Sequence, residues 1–371
     1  MYKRQGTRPV SVGALTIGGG SDVIIQSMTT TDTADMEATV TQIRELYEAG
    51  CELVRVAVPT EQASRELPGI VKESPLPVVA DIHFNHRLAL AALEAGVAKL
   101  RINPGNIGGP ERLAEVAMLA AAKKIPIRIG VNAGSLEKRL LEKYGHATAE
   151  ALVESALDNI RLMEKLNYFD LVVSLKASSV PVTVQAYRML AERVNYPLHI
   201  GVTEAGTIFS GTVFSAVGIG ALLLDELGDT LRVSLTAHPV EEIRVAKAIL
   251  SATEIRRFGP RVISCPTCGR CQLDVISLAG EIERRVSGLK EPLTLAVMGC
   301  VVNGPGEARE ADLGIAGGKN QGLIFRGGEI VKKIPAENLV DEFMSFLQEY
   351  LQKGQKSRGS KCENNSSHPR I

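Results

Sequence analysis

Four cysteines, Cys265, Cys268, Cys271 and Cys300, fall within 36 positions, and the first three are spaced C-x2-C-x2-C. Thiolates this close in a loop can bind one metal centre together, and a distant fourth ligand completes both zinc and iron–sulfur sites. Zinc ribbons more often use two C-x2-C pairs; Cys300 has no paired cysteine, so the spacing favours a cluster. Spacing alone leaves the fourth ligand open between Cys271 and Glu307, which follows Cys300 by seven residues. An iron held by a carboxylate opens to substrate more readily than one held by thiolate. Cys51 stands apart where a helix leads into a strand and reads as a small core residue, while Cys362 lies in a polar tail.

A second group is cationic. Arg55, Arg101, Arg128 and Lys176 lie at four different strand ends. Four unpaired cations at one mouth would repel one another, so they call for an anion with several oxygens, and planar guanidinium groups suit the bidentate grip of phosphate. Asn103, Asn132, Thr203 and Ser234, at the same kind of position, would add neutral hydrogen bonds. Glu204, in GVTEAGT, could serve such a pocket as general acid or base, and Asp81 and His83 could also handle protons. Gln26, Ser27, Met28, Thr236 and His238 complete the polar strand ends.

Eight elements must position these groups: residues 23–28, 52–58, 78–83, 99–103, 127–132, 171–176, 197–203 and 230–236 are β-branched apolar runs separated by helical patterns. The alternation predicts a parallel sheet, and eight strands predict a closed (βα)8 TIM-type barrel, whose active site gathers at the C-terminal strand ends. A dinucleotide-binding open sheet is the rival, but the cluster Gly18 to Gly20 precedes the first strand instead of following it and reads as a turn. The pattern changes near residue 259, where a smaller α+β domain begins. The expected organisation is a barrel over 1–258, a cluster-binding domain over 259–353 and a disordered polar tail over 354–371.

Lys+Arg and Asp+Glu both number 42, aromatic residues make up 4%, and tryptophan is absent, so nucleic acid is a poor partner. The longest apolar run, residues 213–224, is too short to span a membrane, and the N-terminus does not read as a secretory signal. The expected compartment is the cytoplasm, where clustered cysteines bind metal rather than form disulfides.

QSMT (26–29), VRVAVP (54–59), ADIHF (80–84), LRINPGNIG (100–108), IRIGVNAGSL (127–136), SLKAS (174–178), GVTEAG (201–206), SCPTCGR (264–270) and GCVVNGPGEA (299–308) together resemble the bacterial 4-hydroxy-3-methylbut-2-enyl diphosphate synthases of the methylerythritol phosphate pathway. The resemblance spans about residues 4–350. It implies a reductive dehydration in isoprenoid precursor synthesis: the cyclic diphosphate of 2-C-methyl-D-erythritol takes two electrons through a [4Fe-4S] cluster, its ring opens and water is lost. Residue by residue, Cys265, Cys268 and Cys300 match the family's cluster thiolates and Glu307 its fourth ligand; Cys271 stands outside that set. Arg55, Arg101, Arg128, Asn132, Lys176 and Ser234 match its substrate-anchoring positions, and Thr203 with Glu204 its catalytic pair. The resemblance further implies flavodoxin or ferredoxin as reductant, and a homodimer in which the cluster domain of one chain closes over the barrel mouth of the other. Against it stand a barrel lyase or aldolase with Lys176 as Schiff-base nucleophile and a structural zinc, and a cluster carrier without catalysis.

Overall fold

The structure, a computed structural model, describes residues 6–300, 309–318 and 321–363, the last ten of these by their backbone alone. The chain divides into two compact units, Met1–Arg256 and Arg257–Ile371.

The first unit is the barrel expected from the alternation of strands and helices. Its strands are β3 (Ile24–Met28), β4 (Leu53–Ala57), β5 (Val78–Asp81), β6 (Lys99–Ile102), β7 (Ile127–Asn132), β8 (Leu171–Lys176), β9 (His199–Ile200) and β10 (Thr230–Leu231). They lie parallel in the order β8-β7-β6-β5-β4-β3-β10-β9. A parallel bridge between Val173 and Leu198 closes the ring from β8 to β9. Helices between the strands begin on side-chain caps: Asp35 accepts from Ala38 N, Thr60 from Ala63 N and Ser179 from Val182 N. Each cap satisfies an amide that the first turn leaves without a partner.

The last two strands are shorter than the runs 197–203 and 230–236 predict. Beyond Ile200 the chain passes close to its neighbour, where a Cβ on Gly201 would stand 2.5 Å from the Arg232 carbonyl oxygen. Polar residues there leave the ladder for the mouth loops. A short hairpin that the sequence reading omitted, β1 (Val10–Val12) with β2 (Leu15–Ile17), turns at Gly13 with φ +59°. Val10, Val12 and Ile17 pack on Ile24, Leu53, Val79 and Val172, sealing the N-terminal end of the barrel. Cys51 is buried as a core residue, and burial pushes its thiol up to about 12.

The second unit holds a mixed sheet in the order β11 (Arg261–Ser264), β12 (Thr294–Met298), β13 (Leu313–Gly318), β14 (Gln321–Arg326) and β15 (Glu329–Pro335). The first three run parallel and the last two antiparallel. A helix over Val275–Val286 packs Val275, Ile282 and Val286 on one face of it, beside Leu339, Phe343 and Leu347 of the final helix. That final helix spans Leu339–Glu363, so it runs into the segment expected to be disordered. Helix propagation from a docked turn is cheap once nucleated.

Candidate active site

At the C-terminal ends of the barrel strands lies a cavity of about 130 Å³, lined by Arg55, Asp81, His83, Arg101, Arg128, Asn132, Ser174, Lys176, Thr203, Arg232 and Ser234. Strand alternation explains the set. Arg128 and Asn132, Ser174 and Lys176, and Arg232 and Ser234 are two or four residues apart, so each group projects from the same side of its strand. Nine predicted residues therefore converge: Arg55, Asp81, His83, Arg101, Arg128, Asn132, Lys176, Thr203 and Ser234. Arg232 joins them although the sequence reading passed over it; its spacing from Ser234 was the available signal.

The cations are not all unpaired, as first expected. Asp81 serves two of them, with Arg101 Nη1 at 2.9 Å and Arg55 Nε at 3.6 Å. Burial alone would raise the Asp81 carboxyl, but Arg55, the hydrogen bond with His83, and Arg101 and Arg128 hold it well below the usual carboxylate range. It is a fixed negative charge and a poor proton donor. Arg101 lies across β7, where a Cβ on Gly130 would meet its Nε at 2.4 Å, so only glycine leaves room for the guanidinium. Arg55 turns to an unusual acceptor: its Nε and Nη2 stand 3.1 and 2.9 Å from Met28 Sδ. A thioether is a weak acceptor, readily surrendered to an oxyanion.

Arg128 and Lys176 differ from these two. Among the described residues neither forms an ion pair, and Arg128 Nε and Nη1 have no hydrogen-bond partner, although the side chain is only 1% exposed. Burial first, then the neighbouring cations, lowers both groups well below their ordinary values. Beneath them Lys99 is fully buried against Gln26 Oε1 at 3.5 Å, and His199 donates to or accepts from Thr230 Oγ1 at 2.8 Å. Burial lowers Lys99 and His199 in the same way, with Arg128 the next contributor to each. Most barrels fill this layer with branched apolar residues. Here a polar, electropositive interior lies under a cationic mouth, an arrangement that a multiply charged anion relieves.

Other strand-end residues have local duties. Asn103 is not on the cavity wall; its Oδ1 accepts from Gly105 N at 3.1 Å and caps the turn that follows β6. Thr236 and His238 are exposed, and His238 Nε2 faces Glu45 at 3.5 Å, away from the cavity lining. Glu204, next to the cavity residue Thr203, is exposed in the mouth loop after β9 and sits at φ +55°. A non-glycine residue in that region stores strain that the surrounding structure must sustain, and such strain gathers at functional sites.

In the second unit the cysteines gather past the C-terminal ends of the parallel strands β11 and β12. Cys265 follows β11 and its amide bonds Val297 O of β12 at 3.2 Å, while Cys300 follows β12 itself. The loop between is drawn back by Gln272 N to Gly299 O at 2.8 Å, and it turns on Cys271 N to Cys268 O at 2.9 Å. Gly299 N donates to Cys265 Sγ at 3.2 Å, which ties this sulfur to the end of β12. A Cβ on Gly299 would stand 2.3 Å from Cys271 Sγ, so glycine is needed to seat this thiol. Cys271 meanwhile donates to Leu273 O at 3.1 Å. Among the described residues no three His, Cys, Asp or Glu side chains converge as ligands of one ion. A multi-iron cluster asks for wider spacing, because each iron takes its own protein ligand. The donor set fits such a group; Glu307 lies outside the described residues.

Comparison with known proteins bears on both units. The GcpE TIM-barrel domain matches residues 7–247, and the GcpE protein C-terminal domain matches residues 261–349. The chain is 56% identical over 351 residues to a Brevibacillus brevis protein named 4-hydroxy-3-methylbut-2-en-1-yl diphosphate synthase (flavodoxin), covering 95% of this chain and 98% of that one. Proteins of the same name from Geobacter sulfurreducens and Geobacillus thermodenitrificans are 57% and 54% identical, covering 93% and 98% of this chain and 98% of each relative. The resemblance carried by the sequence motifs is confirmed. With both units matched and more than half of the residues shared along nearly its whole length, the chain belongs to the GcpE family.

Proposed function

We propose that this chain converts 2-C-methyl-D-erythritol 2,4-cyclodiphosphate to 4-hydroxy-3-methylbut-2-enyl diphosphate and water, using two electrons and a proton. The observation that carries the reading is the cavity itself. Five cationic side chains, Arg55, Arg101, Arg128, Lys176 and Arg232, line it against one carboxylate, Asp81. That surplus fits a diphosphate held through several oxygens. A lyase built on Lys176 has no need of the four arginines around it, and the relatives' name speaks for the synthase.

In this reading Arg55, Arg101, Arg128 and Lys176 hold the phosphate oxygens, with Asn132 and Ser234 supplying neutral hydrogen bonds. Arg55 exchanges the Met28 thioether for phosphate, and Arg128 gains the partners its buried nitrogens lack. Thr203 orients the sugar carbons from the cavity wall. Glu204, at the mouth, donates the proton that lets the departing hydroxyl leave as water. Cys265, Cys268 and Cys300, with Glu307 as fourth ligand, would hold a [4Fe-4S] cluster, whose chemistry is one-electron transfer. Cys271, engaged with Leu273 O, stays a neighbour.

Flavodoxin, which the relatives' names include, is the electron donor of this reading. A homodimer is its assembly, supported by the helix Ile208–Leu224, whose Phe209, Val213, Val217 and Leu224 form an exposed apolar stripe. Its compartment is the cytoplasm, which suits reduced thiols; among the described residues no helix is long and apolar enough to cross a membrane.

The test is anaerobic reconstitution with iron and sulfide, then reduction in the presence of the cyclic diphosphate, with 31P NMR following the phosphorus resonances. Linear diphosphate formed by a chain carrying about four irons supports the reading. Bound zinc with no conversion would overturn it.

A further inference from the structure

We propose that Glu242 is a positioning residue for the diphosphate site, holding Arg232 and the loop that carries Ser234 in register with the cavity; this rests on the function proposed above. Glu242 lies in the first turn of the helix Pro239–Ala252 and is 3% exposed. Its carboxylate accepts four hydrogen bonds. Oε2 takes Ser27 Oγ at 2.8 Å and Arg232 Nε at 3.2 Å; Oε1 takes Arg232 Nη2 at 3.0 Å and Leu235 N at 3.3 Å. A carboxylate offers about four lone-pair sites, so all are engaged in holding neighbours.

The bonds tie three elements together: Ser27 on β3, Arg232 just past β10, and the loop at Leu235, whose neighbour Ser234 lines the cavity. Arg232 is gripped side-on through Nε and Nη2. Its remaining terminal nitrogen, Nη1, lies 3.6 Å from Met28 Sδ, the sulfur that also holds Arg55. One buried carboxylate thus sets the angle at which a cavity guanidinium is presented, and it offsets that cation so that Arg128 and Lys176 keep the unmatched charge. Side-on pairing of this kind is beyond a lysine, which lacks the planar fork.

The experiment compares the full, cluster-loaded chain with Glu242→Gln, Arg232→Met, the double variant, Arg232→Lys and Ser27→Ala, reading KM and kcat for the cyclic diphosphate together with the melting temperature. Glu242→Gln and Arg232→Met are each expected to raise KM at least about tenfold, the double variant no further than either alone. Arg232→Lys keeps the charge and should still raise KM, and Ser27→Ala should raise it by a smaller factor. Multiplying effects in the double variant would overturn the proposal, as would a KM unchanged by Glu242→Gln. If Glu242→Gln does not fold, Arg232→Lys and Ser27→Ala decide: raised KM supports positioning, and wild-type KM with a lowered melting temperature assigns Glu242 to stability alone. A wild-type chain that does not turn over the cyclic diphosphate defeats the underlying function instead.

Discussion

The barrel mouth and the cysteine site are built by opposite routes. The mouth is built from side chains on the barrel strands and the residues just past them, largely buried and held before any ligand arrives: Asp81 holds Arg101 and Arg55, and Glu242 holds Arg232. The cysteine site is built from loops. Cys268 is exposed, the other three are half-buried, and backbone contacts such as Gln272 N to Gly299 O draw the loop together. A charged substrate needs a low-dielectric, prearranged site, because cations fixed in advance cost no reorganisation on binding. A cluster brings its own bonds, and these supply much of the organisation that loops lack.

The largest effect should separate the two regions. Cys265→Ser or Cys300→Ser is expected to abolish iron retention and lower turnover at least about a thousandfold, while binding of the cyclic diphosphate to the barrel changes less than about twofold. Iron analysis and calorimetry on the same preparations check both halves. Loss of diphosphate binding in these variants would break the comparison.

Next in size is Arg128→Met, expected to weaken diphosphate binding about a hundredfold, since a buried, otherwise unpartnered guanidinium is matched only by the ligand. The same change should raise the melting temperature of the ligand-free chain, because an unpaired buried charge costs stability. Opposite signs in binding and stability would mark Arg128 as a residue kept for function.

Smaller still is Lys99→Met. Burial lowers the Lys99 ammonium below its ordinary value in the folded chain, so the unfolded chain binds the extra proton and wild-type stability rises with pH between the folded and unfolded values. Replacing it is expected to stabilise the ligand-free protein by about 1–4 kcal/mol on the low-pH side of that window, the gain shrinking as pH rises. Chemical denaturation across pH measures the slope.

Much of this site was legible before any coordinates, for a definite reason. Barrel strands alternate with period two and end at one mouth, so Arg55, Arg101, Arg128, Lys176, Thr203 and Ser234 could be read off strand ends. What escaped was whatever lay off that rule. Arg232 sits one alternation earlier than Ser234, inside a run read as strand interior. Lys99 and His199 are deeper again, and Glu242 reaches the site from a helix, which strand logic does not visit. Asn103 was drawn in wrongly because an asparagine at a strand end can equally cap the next turn, as its bond to Gly105 N shows. The pairing of Arg101 with Asp81 crosses two strands and needed the register of β5 against β6. For the cysteines, spacing placed three in one loop, but only the parallel pairing of β11 with β12 brings Cys265 and Cys300 to the same end of the sheet.

The most direct test of the central claim, that the barrel mouth is a preformed diphosphate site, is calorimetric titration of the cluster-free full chain with the cyclic diphosphate in buffers of different ionisation enthalpy. Burial and neighbouring cations lower Lys176 in the free protein, and a bound anion raises it again, so binding should take up protons and weaken as pH rises. The account predicts saturable binding without iron, with proton uptake and lower affinity at higher salt. Binding that appears only after the cluster is restored, or that shows no proton uptake at any pH, would contradict it.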